Sequence, residues 1–464
     1  MGAGSYHRAQ TADHDRPRRA EPRASVSTVT EGGDQPNVSK PTQSMSLSGA
    51  AGIGLSTQGG EAASLLPYAA SLTDVPYTRI REIGEIAMSM EGVLRLYFGE
   101  SSLPTPTFIV DAAVRALREG HTFYSENAGL PTLRSEIASQ YARLHGVELD
   151  PDTEIVVSAS GVHALHLAIR SVVDPGDEVL VLSPAWPNST SIVALSHGVP
   201  VDVPLALTGK RYAIDFAALE AALSPRTRLL VFTSPSNPLG WVATADEQRR
   251  LLEFCRENRL WLLADEVYER IYYAGFEIGD PAPSILRLCD RGDAVHVVQS
   301  FSKSYCMTGW RVGWLVTRAD LGPKAAQLNE FFVSHAATFA QRAAQTALAD
   351  GENEIRRMVE LFRANRDFCV AALGEMPGVT VPEPNGAFYV FPRIDGLQDS
   401  FAFCRQLLVE ERVGLAPGSA FGTGGEGAIR ICYAAERSIL EPALERFARF
   451  LEAGRFEGRH ALRA

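Results

Sequence analysis

Short apolar runs recur through the middle of this chain and alternate with segments of helical periodicity. The runs cover residues 155–157, 179–182, 229–232, 260–264 and 294–298, with amphipathic helical patterns such as 112–118 and 248–258 around them. Strands without a polar face are buried on both sides, as in a parallel sheet covered by helices. The pattern therefore predicts an α/β fold with a mostly parallel sheet between helices.

The two ends of the chain have other patterns. A long helical stretch at about 354–373 precedes strand-like runs at 387–391 and 429–433, which predicts a smaller α+β domain over residues 336–460 beside a large domain over 101–335. We expect residues 61–100 to pack with the small domain. Residues 1–60 contain few branched or aromatic apolar side chains, so they are predicted to form a disordered extension, with Met45 as an alternative start.

Charge and cysteine usage argue against several classes of partner. The formal net charge of −11 and the pI near 5.5 disfavour binding to nucleic acid or to an anionic membrane, which requires clustered Lys and Arg. No run of 18 apolar residues and no secretory signal is present, so no membrane segment is expected. Six scattered cysteines without a CxxC pair indicate reduced thiols in a cytoplasmic protein, and no metal site is predicted.

The strongest chemical signal is a lysine flanked by serines, shortly after the apolar run 294–298. Ligands bind beyond the carboxyl ends of strands in such sheets, so Lys303 is predicted to lie in a dry pocket where burial lowers the pKa of its amine. Ser300, Ser302 and Arg311 supply hydroxyl and guanidinium donors that suit a phosphate. By itself, the segment is equally consistent with a surface lysine in a polar loop.

Other apolar runs also end in, or contain, polar residues. Asp265 follows the run 260–264, where a carboxylate is either a helix N-cap or the partner of a protonated ring nitrogen. Tyr268 and Asn237 are candidate donors to an oxygen on the same ring, although packing on the sheet and a plain turn explain them as well. Arg430 lies inside an apolar run, where its charge needs a substrate carboxylate or a structural carboxylate as partner.

A turn of small residues joins the first apolar run to a helical segment. Ser160, Gly161 and Val162 are placed where the amide N–H groups of a helix N-terminus reach a phosphate. His163, which opens the helix, is interpreted as a structural or rim residue. Trp186, just beyond the second run, would stack on a flat cofactor or pack in the core.

Taken in order, these motifs resemble those of the class I and II aminotransferases, which are fold-type I enzymes that use pyridoxal 5′-phosphate (PLP). The ordered set is Asn237-Pro238, Asp265 with Tyr268, Ser302-Lys303 with Arg311, and Arg430. Four further segments match the family pattern: Tyr124 with Gly129, Leu133 and Arg134; Phe98-Gly99; residues 384–389; and residues 417–422. The resemblance covers about residues 65–455.

Three positions depart from the family's usual pattern. Val162 stands where Ala, Ser or Thr is frequent, so only its backbone amide would help to hold a phosphate. Leu239 replaces a usual Thr, and a second aromatic residue near Ser189 is missing. These departures bear on phosphate contacts and substrate preference rather than on cofactor binding.

The resemblance implies a mechanism. Lys303 would hold PLP as an internal aldimine that an amino acid displaces, and its freed amine would move a proton from Cα to the cofactor. Asp265 would keep the pyridine nitrogen protonated, while Arg430, Gly99 and Asn237 would bind the substrate α-carboxylate. The expected reaction is a ping-pong transfer between an L-amino acid and a 2-oxo acid.

The resemblance also implies a homodimer, in which Tyr124 reaches the phosphate in the partner subunit's site. The same scaffold hosts C–S lyases and aminocyclopropane-carboxylate synthases, and this alternative keeps the same cofactor residues. A regulator with this fold would need a DNA-binding domain that about 60 N-terminal residues cannot supply. The amino donor and acceptor stay open, and Trp241, His335 and Thr338 are expected at the rim of the substrate pocket.

Overall fold

The computed structural model describes Val75 and residues 77–454, so the predicted extension over residues 1–60 lies outside the described residues. The strands are β1 (Leu94–Arg95), β2 (Ile155–Ser158), β3 (Glu178–Ser183), β4 (Val199–Pro204), β5 (Ala206–Thr208), β6 (Arg211–Ala213), β7 (Thr227–Thr233), β8 (Trp261–Asp265), β9 (Val295–Ser300), β10 (Gly313–Val316), β11 (Val379–Thr380), β12 (Tyr389–Val390), β13 (Arg393–Ile394), β14 (Val413–Gly414), β15 (Ala416–Pro417) and β16 (Ile429–Cys432).

The α-helices connect and cover these strands. They are α1 (Arg79–Met88), α2 (Thr107–Arg118), α3 (Pro131–His145), α4 (Gly161–Arg170), α5 (Asn188–Leu195), α6 (Phe216–Ala221), α7 (Ala245–Asn258), α8 (Phe301–Ser304), α9 (Gly322–Phe332), α10 (Thr338–Asp350), α11 (Glu352–Gly374), α12 (Ser400–Glu411) and α13 (Arg437–Ala453).

All five apolar runs predicted as strands lie in one seven-stranded sheet, in the order β2-β10-β9-β8-β7-β3-β4. β4, β3, β7, β8 and β9 pair in parallel, and only β10 runs antiparallel to its neighbours. Every residue of β2, β3, β8 and β9 is buried. The prediction of an α/β fold with a mostly parallel, doubly covered sheet is therefore confirmed.

Successive side chains along each central strand point to two different cores. In β3, Val179 and Val181 share a core with residues of α4, α5 and α9, whereas Leu180 and Leu182 belong to the larger core on the opposite face. Helices therefore cover both faces of the sheet. Because both faces are covered, a binding site can form in the loops at the carboxyl ends of the parallel strands.

The C-terminal elements form smaller sheets. β12, β16 and β15 make a three-stranded antiparallel sheet, and β11 pairs with β13. β1 pairs in parallel with β14, which joins the segment before residue 100 to the C-terminal elements. The domain boundaries at residues 100, 335 and 460 stay a prediction.

The described residues contain neither a membrane-spanning helix nor a metal-binding cluster. Between residues 77 and 454, no helix combines the length and the apolar character that crossing a membrane requires. The same part of the chain contains no group of His, Cys, Asp and Glu side chains arranged to hold a metal ion. All six cysteines are free thiols.

Candidate active site

A cavity of about 600 Å³ opens beyond the carboxyl ends of β7, β8 and β9. Its volume is typical of pockets that bind small molecules. Most residues that the sequence predicts for the site line this cavity: Gly99, Gly161, Val162, Trp186, Asn237, Asp265, Tyr268, Ser300, Ser302, Lys303, Arg311 and Arg430. Segments far apart in the sequence therefore converge on one concave site.

The amine of Lys303 lies inside the cavity. Because α8 begins directly after β9, Lys303 occupies a single helical turn at the edge of the sheet. Its Nζ donates to the carbonyl oxygen of Gly99 at 2.7 Å and lies 5.8 and 5.9 Å from the ring centres of Tyr268 and Phe388. Burial lowers the pKa of Lys303 to about 8, which makes its amine available as a nucleophile near neutral pH. Lys303 is thus not a surface lysine.

Asp265 ends β8 and is 3% exposed. One of its carboxylate oxygens accepts from the amide of Val267 at 3.3 Å, and no α-helix begins there, so Asp265 is not a helix N-cap. Burial raises the pKa of Asp265 to about 7, since Val267 and the charge of Lys303 only partly offset the loss of water. A cationic group in the cavity would favour the charged form of this carboxylate.

Arg430 is buried within β16 and makes no ion pair in the described part of the chain. Its Nη1 donates to Oδ1 of Asn237 at 2.8 Å, its Nη2 donates to the carbonyl oxygen of Tyr97, and its Nε has no partner. An unpaired guanidinium at a cavity wall suits a ligand carboxylate. Because Arg430 occupies the amide oxygen of Asn237, the amide NH₂ of Asn237 remains as a donor.

Tyr268 presents a buried hydroxyl to the cavity. Its Oη lies 2.7 Å from Oη of Tyr389, and the two rings meet nearly edge to face. Burial raises the pKa of Tyr268 well above its usual value, so the hydroxyl stays protonated and can act as a donor.

The N-terminus of α4 adjoins the same cavity. Ser160 has a φ of 114°, and its hydroxyl caps the helix by accepting from the amide of His163 at 3.2 Å. Ser160 itself does not line the cavity, in contrast to the predicted cofactor contact, whereas Gly161 and Val162 do. A Cβ on Gly161 would lie 3.2 Å from Cβ of Ser300, so the glycine lets the helix approach β9 closely.

Further donors lie near this helix N-terminus. Oγ of Ser300 donates to Oγ of Ser302 at 2.9 Å, and both serines line the cavity. The guanidinium of Arg311 donates to the carbonyl oxygen of Thr308 at 2.6 Å and also lines it. Two hydroxyls, a guanidinium and helix N–H groups make this end of the cavity suitable for an anion.

Besides Ser160, four predicted residues do not line the cavity that a single chain forms. Tyr124 is 90% exposed, with its ring 5.6 Å from that of His335, and Thr338 donates to the carbonyl oxygen of Phe123. Trp241 is 3% exposed. Trp241, His335 and Thr338 therefore do not line this cavity, and their expected rim positions stay a prediction. His335 and Thr338 contact the segment around Tyr124.

The cavity also contains residues to which the sequence assigned no role: Thr78, Ile80, Arg81, Phe98, Glu100, Leu165, Pro187, Asn188, Thr233, Val267, Thr308 and Tyr389. Arg81 comes from α1, and Glu100 follows the Phe98-Gly99 segment. Neither lies at the end of an apolar run, so no strand-end signal marks them. Tyr389 lies in a segment that matches the family, but the sequence does not tell whether Phe388 or Tyr389 faces the cavity.

Comparison with known proteins identifies the family. The sequence model described as aminotransferase class I and II matches residues 91–447. The aspartate aminotransferase of Geobacillus stearothermophilus is 34% identical over 83% of this chain and 98% of its own length. The aromatic-amino-acid aminotransferase 2 of Thermococcus litoralis is 32% identical over 81% of this chain and 96% of its own length.

Solved structures agree with these sequence relatives. The aspartate aminotransferase of Thermotoga maritima superposes with a TM-score of 0.77 at 31% identity, over 83% of this chain and all of that one. The aromatic aminotransferase of Pyrococcus horikoshii superposes with a TM-score of 0.74 at 33% identity, over 81% of this chain and 99% of that one. With the match of the family model over most of its length, the chain belongs to the class I and II aminotransferases.

Proposed function

We propose that this aminotransferase carries PLP on Lys303 and moves an amino group between an L-amino acid and a 2-oxo acid in a ping-pong cycle. One observation supports the proposal most strongly: a lysine amine, a buried carboxylate and an unpaired arginine line the same cavity. A lone lysine in a polar cleft would have many explanations. This combination matches the three functional groups that PLP and an amino acid bring together.

The donor set fits PLP. Gly161, Val162, Ser300, Ser302 and Arg311 offer N–H, O–H and guanidinium donors for a phosphate at one end. The absent side chain of Gly161 keeps this end open, because a Cβ there would also lie 3.3 Å from Cγ1 of Val267. Asp265, as the partner of a protonated ring nitrogen, and Arg430, as the partner of a substrate carboxylate, lie elsewhere in the same cavity.

When bound, PLP supplies an aldehyde carbon that bonds amines and a ring that accepts electron density. Lys303 provides the amine, and its pKa of about 8 lets Nζ both take up and release a proton near neutral pH. Asp265 would hold a proton on the ring nitrogen through its charged form. Tyr268 and Asn237 would donate to the 3-oxygen of the ring, and Trp186 would stack on it.

The substrate carboxylate is assigned to Arg430. Arg430 lines the cavity, and no Asp or Glu of the described residues pairs with its guanidinium. Asn237 and the carbonyl oxygen of Tyr97 hold the guanidinium in place. The carbonyl oxygen of Gly99 accepts from Nζ of Lys303 in the same cavity. Fixing the α-carboxylate orients the Cα–H bond toward Nζ of Lys303, which is the group placed to move the proton.

The assembly is proposed to be a homodimer in which Tyr124 reaches the phosphate of the partner subunit's site. The 90% exposure of Tyr124, outside the cavity of its own chain, supports this assignment. A cytoplasmic location is supported by the six free cysteines. The relatives described above are all aminotransferases, so nothing favours the lyase or synthase alternative.

A panel of half-reactions tests the reaction class. Purified protein loaded with PLP is mixed with single L-amino acids while the visible absorption of the cofactor and the release of 2-oxo acid are followed. The proposal predicts one oxo acid per site together with pyridoxamine phosphate. Release of ammonia with pyruvate from a substrate with a leaving group, without pyridoxamine phosphate, would instead indicate a lyase.

A further inference from the structure

A pair of buried tyrosines closes one wall of the cavity. Tyr389 begins β12, is fully buried, and has its ring centre 4.6 Å from Cζ of Arg430. Its hydroxyl lies 2.7 Å from that of Tyr268, and this is its only hydrogen bond in the described part of the chain. Neither the family resemblance nor the proposed function uses this hydroxyl.

The proposed function decides the direction of the bond. Each hydroxyl carries one proton, so one tyrosine donates and the other accepts. Both tyrosines line the cavity. Because the proposed function directs the Tyr268 proton to the 3-oxygen of PLP, the Tyr268 oxygen is left to accept from Tyr389, and both protons then have an acceptor.

We propose that Tyr389 is a positioning residue whose hydroxyl donates to Tyr268 and thereby directs the Tyr268 proton into the cavity. The inference rests on the proposed function, in which the 3-oxygen of PLP accepts that proton. A hydroxyl that accepts one hydrogen bond becomes a stronger donor in its other bond. Tyr389 therefore strengthens the hold of Tyr268 on the cofactor.

Gly99 makes room for this arrangement. A Cβ at residue 99 would lie 2.2 Å from Oη of Tyr389, so any side chain there would displace the hydroxyl. The carbonyl oxygen of the same glycine accepts from Nζ of Lys303. Gly99 therefore both accepts the hydrogen bond of Lys303 and leaves the space that the Tyr389 hydroxyl occupies.

Four variants of the PLP-loaded enzyme test the inference: Tyr389→Phe, Tyr268→Phe, the double variant, and Tyr433→Phe as a matched control. Tyr433 is also fully buried, but its hydroxyl bonds the carbonyl oxygen of Ala387 outside the cavity. Two properties are measured: the pH midpoint at which the visible absorption band of the bound cofactor changes, and the dissociation constant of PLP.

Tyr389→Phe is expected to raise the midpoint by about half a pH unit and the dissociation constant about threefold. The midpoint rises because Tyr268, without the Tyr389 hydroxyl, is a weaker donor and leaves more negative charge on the 3-oxygen. That charge stabilises the proton on the nitrogen that joins Lys303 to the cofactor. Tyr268→Phe should cause a larger rise, and adding Tyr389→Phe to it should change nothing further, since Tyr389 acts through Tyr268. Tyr433→Phe should match the wild type.

Two results overturn the inference while leaving the proposed function intact: an unchanged midpoint in Tyr389→Phe, or an equal shift in the presence and absence of the Tyr268 hydroxyl. An equal shift in Tyr433→Phe also overturns it, because the effect would then be one of general packing. A wild-type protein that shows no visible band with PLP overturns the proposed function and this inference together.

Discussion

At the scale of single residues, burial gives the site its reactive protonation states. Asp265 and Lys303 have pKa values of about 7 and about 8, shifted in opposite directions by the same loss of water. Burial disfavours a charge on both groups. Both therefore titrate near neutral pH, where small changes in ligand charge can decide which group carries the proton.

Asp265 should make the stability of the cofactor-free protein fall as the pH rises. Its folded pKa of about 7 lies above the unfolded value of 3.8, so the stabilising proton is fully bound below about pH 4 and lost toward pH 7. Between these limits, Asp265→Asn should gain up to roughly 4 kcal/mol relative to the wild type. Urea unfolding at several pH values measures this difference.

The exposed variant Asp246→Asn serves as the control for this experiment, because its side chain is 85% exposed and pairs with Arg249 at the surface. It should follow the wild-type curve. If the free energy of unfolding changed with pH in parallel for Asp265→Asn and the wild type, folding would not raise the pKa of Asp265.

Substrate binding should be impaired even when Arg430 is replaced by lysine. A lysine keeps the charge but loses the planar fork that can hold both a carboxylate and Asn237. Arg430→Lys is therefore expected to lower kcat/KM about 100-fold for every amino acid tested, mainly through KM. Steady-state kinetics measure this loss, and Arg437→Lys, at a partly exposed arginine outside the cavity, is the control. Equal kinetics for Arg430→Lys and the wild type would remove Arg430 from substrate binding.

At the scale of elements, the site depends on how closely α4 approaches the sheet. Gly313 begins β10 and pairs with both Ser158 and Ser300. A Cβ on Gly313 would lie 2.6 Å from the carbonyl oxygen of Gln299 and 2.7 Å from the amide nitrogen of Gly161. This glycine therefore sets the position of the helix N-terminus that is proposed to hold the phosphate.

Gly313→Ala should lower both stability and phosphate binding. The added methyl meets backbone atoms that cannot move independently, so we expect a loss of about 1–3 kcal/mol in the free energy of unfolding. Affinity for inorganic phosphate, measured by competition with PLP, should fall as well. Gly309→Ala is the matched control, since a Cβ at residue 309 meets no atom within 4 Å. If both variants bind phosphate equally, the helix position is not limiting.

Periodicity predicted five of the seven strands in the central sheet and missed β4 and β10. β4 carries Pro and Asp between its valines at the sheet edge, and β10, although fully buried, has only four residues. β10 is antiparallel because residues 301–312 contain only a single-turn α-helix and a short 3₁₀-helix, which are too short for a crossover. α7 begins at Ala245 rather than 248, since the capping box of Thr244 and Glu247 precedes its apolar stripe.

Sequence patterns identified the site residues at the ends of strands but not those that tertiary packing brings to the cavity. Lys303 and Asp265 were predictable, because each lies at the carboxyl end of a buried strand, next to the cavity. Arg81 and Glu100 reach the cavity from segments whose path depends on tertiary packing. The pairing of Tyr389 with Tyr268 joins residues 121 positions apart, and no local pattern encodes that contact.

At the scale of the whole molecule, exposed apolar side chains are concentrated near Tyr124. Phe123 is 80% exposed, Phe331 is 79% exposed, and Phe332 and Val333 follow at the end of α9. His335 connects the two segments, since its Nε2 accepts from the amide of Ser125 and its ring contacts Tyr124. Exposed apolar groups of this kind mark a protein interface.

Phe331→Asp should therefore weaken the proposed homodimer. A charge in a buried interface must be desolvated without a partner, so the dimer dissociation constant is expected to rise at least tenfold. Sedimentation at several concentrations measures it. Phe276→Asp is the control, because Phe276 is fully exposed on a loop after β8 and should leave assembly unchanged. A wild-type monomer would contradict the assignment of Tyr124.

The central claim is that one particular amine binds the cofactor covalently. The sequence contains four lysines, Lys40, Lys210, Lys303 and Lys324, and among those in the described residues only Lys303 lines the cavity. Borohydride reduction of the PLP-loaded protein, followed by peptide mass analysis, locates the bond directly. We expect one pyridoxyl phosphate group per chain, on Lys303. A label on Lys210 or Lys324, or a reduced protein without any label, would contradict the account.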